Sequence, residues 1–216
     1  MREFNIPVTT HGRVLVEGDG ASSDAPLRLL VGCHGYAQSA DEMMEMLGRI
    51  PAGDRWTRVS IQALNRFYRR RSEITVASWM TRQDRELLIG DNVAYVDRAI
   101  AEVAGTRAIE RLVFCGFSQG VAMAFRAAVR GAHKADAVLA LGGDVPPELL
   151  ADTGATFPRV LLARGTRDEW YSEAKLQADE AALRTRGASV DTLTFDGAHE
   201  WHDDFGAQVT EFLRQL

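Results

Sequence analysis

The sequence predicts an α/β protein, with a mainly parallel eight-stranded sheet and helices on both faces. Three observations predict it. From Leu27 onward, short apolar stretches alternate with amphipathic stretches at helical spacing, the pattern of a parallel sheet covered on both sides. One strand-to-helix junction holds a serine between two glycines, Gly116-Phe117-Ser118-Gln119-Gly120. The 216 residues are 46% hydrophobic and 25% charged, which suits one domain, residues 1–216, with a sizeable core.

The elements follow in order. Residues 3–10 and 13–18 read as an antiparallel hairpin. Phe4, Ile6 and Val8, then Val14 and Val16, alternate along it, and His11-Gly12 is the turn. Gly18 to Pro26 is a polar loop. Leu27 to Gly32 is a buried third strand, followed by a helix over Asp41–Ile50 with Met43, Met44, Met46 and Leu47 as its apolar positions. Trp56 to Ile61 is the fourth strand. Residues 62–84 are the least periodic stretch. Arg66, Arg69, Arg70 and Arg71 there read as a solvated basic loop before they read as an anion site. Arg85 to Ala104 is a long helix with Leu88, Val93, Val96, Ile100 and Val103 inward. Arg111 to Cys115 is the fifth strand, and Val121, Phe125, Ala128 and Val129 mark the helix after it. Ala137–Leu141, Arg159–Ala163 and Val190–Phe195 are strands six to eight. A helix over Tyr171–Arg186, closed by Gly187, and a last helix over residues 203–215 complete the chain.

The serine between glycines is the G-x-S-x-G nucleophile elbow. Such a turn lifts the Ser118 hydroxyl above the strand end and leaves the Gln119 N–H at a helix N-terminus, where negative charge is favoured. An activated serine needs a base, and the base needs an orienting acid. Asp168 follows the seventh strand and His199 the eighth, giving the order Ser…Asp…His at one edge of the sheet. Each has a rival. Asp168 doubles as a helix N-cap, and Asp144, after strand six, is the competing acid, ranked second. His202 is the competing base; the glycine-containing loop directly after a strand favours His199. His34-Gly35-Tyr36 reads as a turn that gives a second oxyanion donor, the Tyr36 N–H, beside that of Gln119. His34 itself reads as a buried residue that steadies the loop. Tyr36, Trp79, Trp170 and Tyr171 are candidates to line a substrate pocket, with core or rim packing an equal alternative.

Composition excludes several classes. Net charge is −5, so there is no global electrostatic case for nucleic acid. No apolar run approaches the ~18–20 residues that span a bilayer, so integral membrane association is not expected. The first residues lack the apolar core of a signal peptide. Cys33 and Cys115 sit in apolar strands, so free thiols and a cytoplasmic location are expected. The five histidines and two cysteines fall into no zinc spacing, so no metal site is expected. Monomer and homodimer both stay open.

The motifs together resemble the α/β-hydrolase fold, and within it the phospholipase/carboxylesterase group that includes acyl-protein thioesterases. The resemblance is carried by His34-Gly35-Tyr36, Gly116-Phe117-Ser118-Gln119-Gly120, Gly142-Gly143-Asp144, Gly165-Thr166-Arg167-Asp168 and Gly197-Ala198-His199. It covers the chain from about residue 27 to its end. It implies a serine hydrolase of small-molecule esters, thioesters or lysophospholipids, with no cofactor. There is no large cap domain after strand six. Two departures stand out. Ala37 replaces the second glycine of the family's H-G-x-G turn, and Glu169-Trp170-Tyr171 follows the acid where the family has a D-x-x-V/I-P-type run. Two other readings remain: a dienelactone-hydrolase-like lactone hydrolase, against which the serine counts because that group uses cysteine, and a non-catalytic binding protein on the same scaffold, against which the full triad counts.

Overall fold

A computed structural model describes residues 1–18, 25–51 and 55–216. Its strands are β1 (Arg13–Glu17), β2 (Leu27–Cys33), β3 (Thr57–Gln62), β4 (Asn65–Tyr68), β5 (Thr75–Ser78), β6 (Ile109–Phe117), β7 (Ala137–Leu141), β8 (Arg159–Gly165) and β9 (Val190–Phe195). The helices are α1 (Ala40–Gly48), α2 (Arg85–Ala104), α3 (Gln119–Arg130), α4 (Pro147–Ala151), α5 (Glu173–Thr185) and α6 (Asp203–Arg214). Seven strands form the main sheet in the order β1-β3-β2-β6-β7-β8-β9, with β4 and β5 as a separate hairpin. Every pairing in the main sheet is parallel except β1 with β3.

The sequence pattern explains the layering. Successive side chains of a strand point to opposite faces, and the middles of the central strands β2, β6, β7 and β8 are apolar on both faces. Leu29, Val31, Phe114, Val138, Ala140, Val160 and Leu162 face one layer, closed by α2, α3 and α5. Leu30, Val113, Cys115, Leu139, Leu141, Leu161 and Ala163 face the other, closed by Met43 and Leu47 of α1 and by Phe205, Val209 and Phe212 of α6. Each such Leu, Val or Phe contributes ~1.5–3 kcal/mol when fully buried. That burial fixes the strands, and so the loops at their ends. Cys33 and Cys115 lie on neighbouring strands but on opposite faces of the sheet.

One expected strand is not formed. Residues 3–10 carry no regular structure, and the sheet has seven strands, not eight. Pro7 has no N–H to give a ladder, and Phe4, Ile6 and Val8 are exposed with no layer to cover them. β1 instead joins the sheet edge, with Arg13 opposite Gln62 and Glu17 opposite Arg58. The aperiodic stretch 62–84 holds the β4–β5 hairpin. The loop expected over Gly18–Pro26 lies mostly outside the described residues. The fifth helix begins at Glu173, after its N-cap Ser172, so Tyr171 precedes it. Among the described residues no helix is long and apolar enough to cross a membrane.

Candidate active site

Strand β6 is the fourth of seven, and Ser118 sits at its C-terminal end. Ser118 has φ 53° and ψ −121°, a strained conformation for a non-glycine residue. The turn persists because its surroundings fix it. Ser118 N–H donates to Leu141 O at 2.9 Å, and Val121 N–H donates to Ser118 O at 3.0 Å. The two flanking glycines are required by close approach. A Cβ on Gly116 would lie 2.5 Å from Val121 Cα, and one on Gly120 would lie 2.0 Å from Cys33 O. Helix α3 therefore packs directly on the ends of β6 and β2.

Asp168 and His199 come from the turns after β8 and β9. Backbone bonds lock those turns together: Thr166 N–H to Phe195 O and Arg167 N–H to Gly197 O, both 2.8 Å. Asp168 Oδ1 accepts from Trp170 N–H at 2.8 Å and Tyr171 N–H at 2.9 Å. Its Oδ2 lies 2.8 Å from His199 Nδ1, and His199 Nε2 lies 2.9 Å from Ser118 Oγ. A carboxylate only accepts, so Nδ1 carries the ring proton and Nε2 presents its lone pair to the serine hydroxyl. The Asp168 side chain is 1% exposed. The Phe117 ring braces the imidazole, with centroids 5.1 Å apart. Asp144 and His202 do not join this chain of contacts. Asp144 pairs with Lys175 at 3.2 Å on the surface. His202 stacks on Phe195 and accepts from Asp204 N–H as the N-cap of α6.

The turn after β2 lies against the serine. A Cβ on Gly35 would be 3.3 Å from Ser118 Cβ. His34 is fully buried and holds this turn: its Nδ1 bonds Gly35 O at 2.8 Å, and its Nε2 accepts from Ala63 N–H at 3.0 Å. Burial pushes its pKa below the ordinary histidine value. Ala37, where the resembling family has glycine, is left-handed at φ 56°. It is held there because its N–H donates to Ala77 O and its carbonyl accepts from Arg69. The Gln119 N–H opens α3, where the first N–H groups have no partner inside the helix.

The sequence comparisons bear on this arrangement. The phospholipase/carboxylesterase family model matches residues 21–216. The chain belongs to the phospholipase/carboxylesterase family. No curated protein sequence matches it. Its fold is similar to the crystal structure of esterase PE8, with a TM-score of 0.75 and 20% identity, covering 95% of this chain and 99% of that one. It is also similar to a Bacillus cereus carboxylesterase (TM-score 0.72, 14% identity, 94% of each chain). Zea mays acyl-protein thioesterase 2 is a third likeness (TM-score 0.71, 17% identity, 95% and 99%). This family member is thus an esterase-type hydrolase on an α/β-hydrolase fold.

Two expected pocket residues are placed elsewhere. Trp79 is fully buried; its indole N–H donates to His34 O at 2.9 Å, so it supports the 34–38 turn from beneath. Tyr171 is 1% exposed, and its hydroxyl donates to Asp179 at 3.0 Å. Burial and the Asp179 charge push that phenol pKa well above its ordinary value. Trp170, by contrast, is exposed and lines the cleft beside Ser118, a space of about 410 Å³. Tyr36 is exposed, packs on Phe67, and lines an adjoining hollow of about 530 Å³. Met80, Arg85 and Gln119 line both spaces.

The side chain of Gln119 and two arginines play parts that were not foreseen. The Gln119 amide oxygen accepts from Trp79 N–H at 2.9 Å, and its nitrogen donates to Met80 O at 3.3 Å. That side chain ties the segment after β5 across the cleft. Arg126 and Arg85 also line the cleft. Arg126 left a signal in the sequence, since it is a charge set among the buried face of α3. The arginine run does not line either space. Arg66 donates to His11 O, and Arg69 to Glu42 at 2.7 Å and Ala37 O at 2.9 Å.

Proposed function

We propose that the chain is a serine hydrolase that cleaves carboxylic esters through an acyl-enzyme on Ser118. The observation that carries this reading is the unbroken chain Ser118–His199–Asp168, with contacts of 2.9 and 2.8 Å. His199 Nε2 takes the hydroxyl proton as Ser118 Oγ bonds the ester carbonyl carbon. Asp168 holds the tautomer and stabilises the imidazolium. The N–H groups of Tyr36 and Gln119 bind the oxyanion, each contributing ~3–4 kcal/mol when well aimed. The tetrahedral species collapses, and the leaving oxygen or sulfur takes its proton from Nε2. Water then attacks the acyl-enzyme, giving a proton to Nε2, and the acid departs as Ser118 recovers its hydrogen.

The reaction so written needs no cofactor. Thioesters and lysophospholipids are within its chemistry, and likeness to an acyl-protein thioesterase structure supports including thioesters. The reading takes the chain as one cytoplasmic domain acting on small molecules, with two buried free thiols in its support. The test is hydrolysis of p-nitrophenyl esters from acetate to palmitate by wild type and Ser118→Ala. Turnover by wild type with a loss of several orders of magnitude in the variant supports the reading. Equal, slow hydrolysis by both would move the binding-protein reading to first place.

A further inference from the structure

We propose that the cleft selects esters carrying a carboxylate a few bonds from the scissile carbonyl, held by Arg126 and Arg85. This rests on the serine-hydrolase reading above and names its substrate class. Arg126 is 4% exposed yet lines the same cleft as Ser118. Its Nε and Nη2 both hold Glu148 Oε1, at 2.8 and 2.7 Å. Its Nη1 has no hydrogen-bond partner among the described residues and is not one of the sealed, unpaired atoms. Arg85 Nη2 takes the other Glu148 oxygen at 3.0 Å.

The charges do not balance. Arg85, Arg126 and Lys175 line the cleft with Asp144, and Glu148 is shared by the two arginines. At the cleft wall three cations thus face two carboxylates; the third acid of the site, Asp168, is sealed behind His199 and bonded by three donors. Glu86 also meets Arg85, but its side chain is 75% exposed and solvent screens it. Arg82 lines the adjoining hollow, which no acid lines. The whole chain is net negative at −5, so a cationic cleft does not follow from composition. A surplus of one positive charge suits a carboxylate, at −1, better than a phosphate monoester nearer −2. A guanidinium also matches the planar carboxylate in shape. Geometry sets the spacing. Arg126 lies seven residues along α3 from Gln119, ~10 Å of helix, and helical side chains lean back toward the N-terminus. A short linker between ester and carboxylate fits what is left.

The alternative is a brace that merely ties α2, α3 and α4 together. The experiment compares kcat/KM for 4-nitrophenyl hydrogen glutarate and 4-nitrophenyl pentanoate, whose acyl chains have equal length. A second arm, with the charge on the alcohol side, compares 3-(butyryloxy)benzoate with phenyl butyrate. Wild type should prefer the anionic ester at least tenfold in one arm, and 0.5 M NaCl should erode that preference. Arg85→Gln and Arg126→Gln should each lose at least fivefold of it, since each removes the one surplus charge. In either variant Glu148 keeps the other arginine, so no carboxylate is left unpaired. No preference in either arm overturns the proposal, as does an equal fall on charged and neutral esters, which is what a brace gives. If no ester is turned over, the serine reading fails separately. Calorimetry of monomethyl glutarate against dimethyl glutarate on Ser118→Ala then decides the charge proposal by binding alone: selective binding of the anion supports it, and equal binding or none overturns it.

Discussion

Asp168→Asn separates the proposed triad from the fold. Asp168 has three partners: two backbone N–H groups on Oδ1 and His199 Nδ1 on Oδ2. Asparagine has one acceptor oxygen and one NH2. The oxygen stays with the two N–H donors, so the NH2 faces His199. Nδ1 must then accept, which moves the ring proton to Nε2, facing Ser118. The base is lost while the backbone contacts remain. The expected loss in kcat/KM is about 10⁴-fold, or about 5.4 kcal/mol at ~1.36 kcal/mol per tenfold. Stability should stay within about 1 kcal/mol of wild type, since the loop keeps its acceptor. Asp168→Ala would be a poorer test, because the buried Tyr171 N–H would lose its partner at ~1–3 kcal/mol and the half-buried Trp170 N–H would lose its own. The assay is p-nitrophenyl butyrate hydrolysis beside thermal melting, with Asp144→Asn as control, expected within threefold of wild type. Asp168→Asn activity within tenfold of wild type, or a collapse in Asp144→Asn instead, would refute the assignment.

Burial pushes the Cys33 thiol up to about 12 and Cys115 higher still, so neither should react with Ellman's reagent in native protein, and both should react after unfolding. His34 has a folded pKa below its unfolded value of ~6.5. Below that pH the unfolded chain binds a proton that the folded chain refuses. Stability is therefore full above pH ~6.5 and falls by up to ~1.4 kcal/mol per unit below it; urea titrations from pH 7.5 to 5.5 should show this slope, and His34→Gln should remove its share. Gln119→Ala strips the acceptor from Trp79 N–H. It should cost ~1–3 kcal/mol of stability and raise KM more than it lowers kcat, as steady-state kinetics on a short-chain ester would read.

The parts of the site that were legible are those written into local rules. Ser118 is announced by Gly116 and Gly120, which the close approach of α3 demands. Asp168 and His199 follow from strand order, because a parallel sheet delivers its loops to one edge. Aromatic residues carried no such rule. Trp79 and Tyr171 are as fit for a core as for a pocket, and only the packing under the 34–38 turn and against Asp179 decides. The hairpin over residues 3–18 failed for a related reason. Alternation at Phe4, Ile6 and Val8 is a strand signal only where a second layer covers it, and Pro7 weakens the ladder. Arg126 and Gln119 act through partners ~20–40 residues away in the chain, Glu148 and Trp79, which no local pattern reports.

The most direct test of the central claim is labelling with a fluorophosphonate, read by intact mass and peptide mapping. Native wild type should gain one adduct, mapped to the peptide containing Ser118, while Ser118→Ala and urea-unfolded protein gain none. No adduct on folded wild type, or an adduct at another residue, would contradict the account.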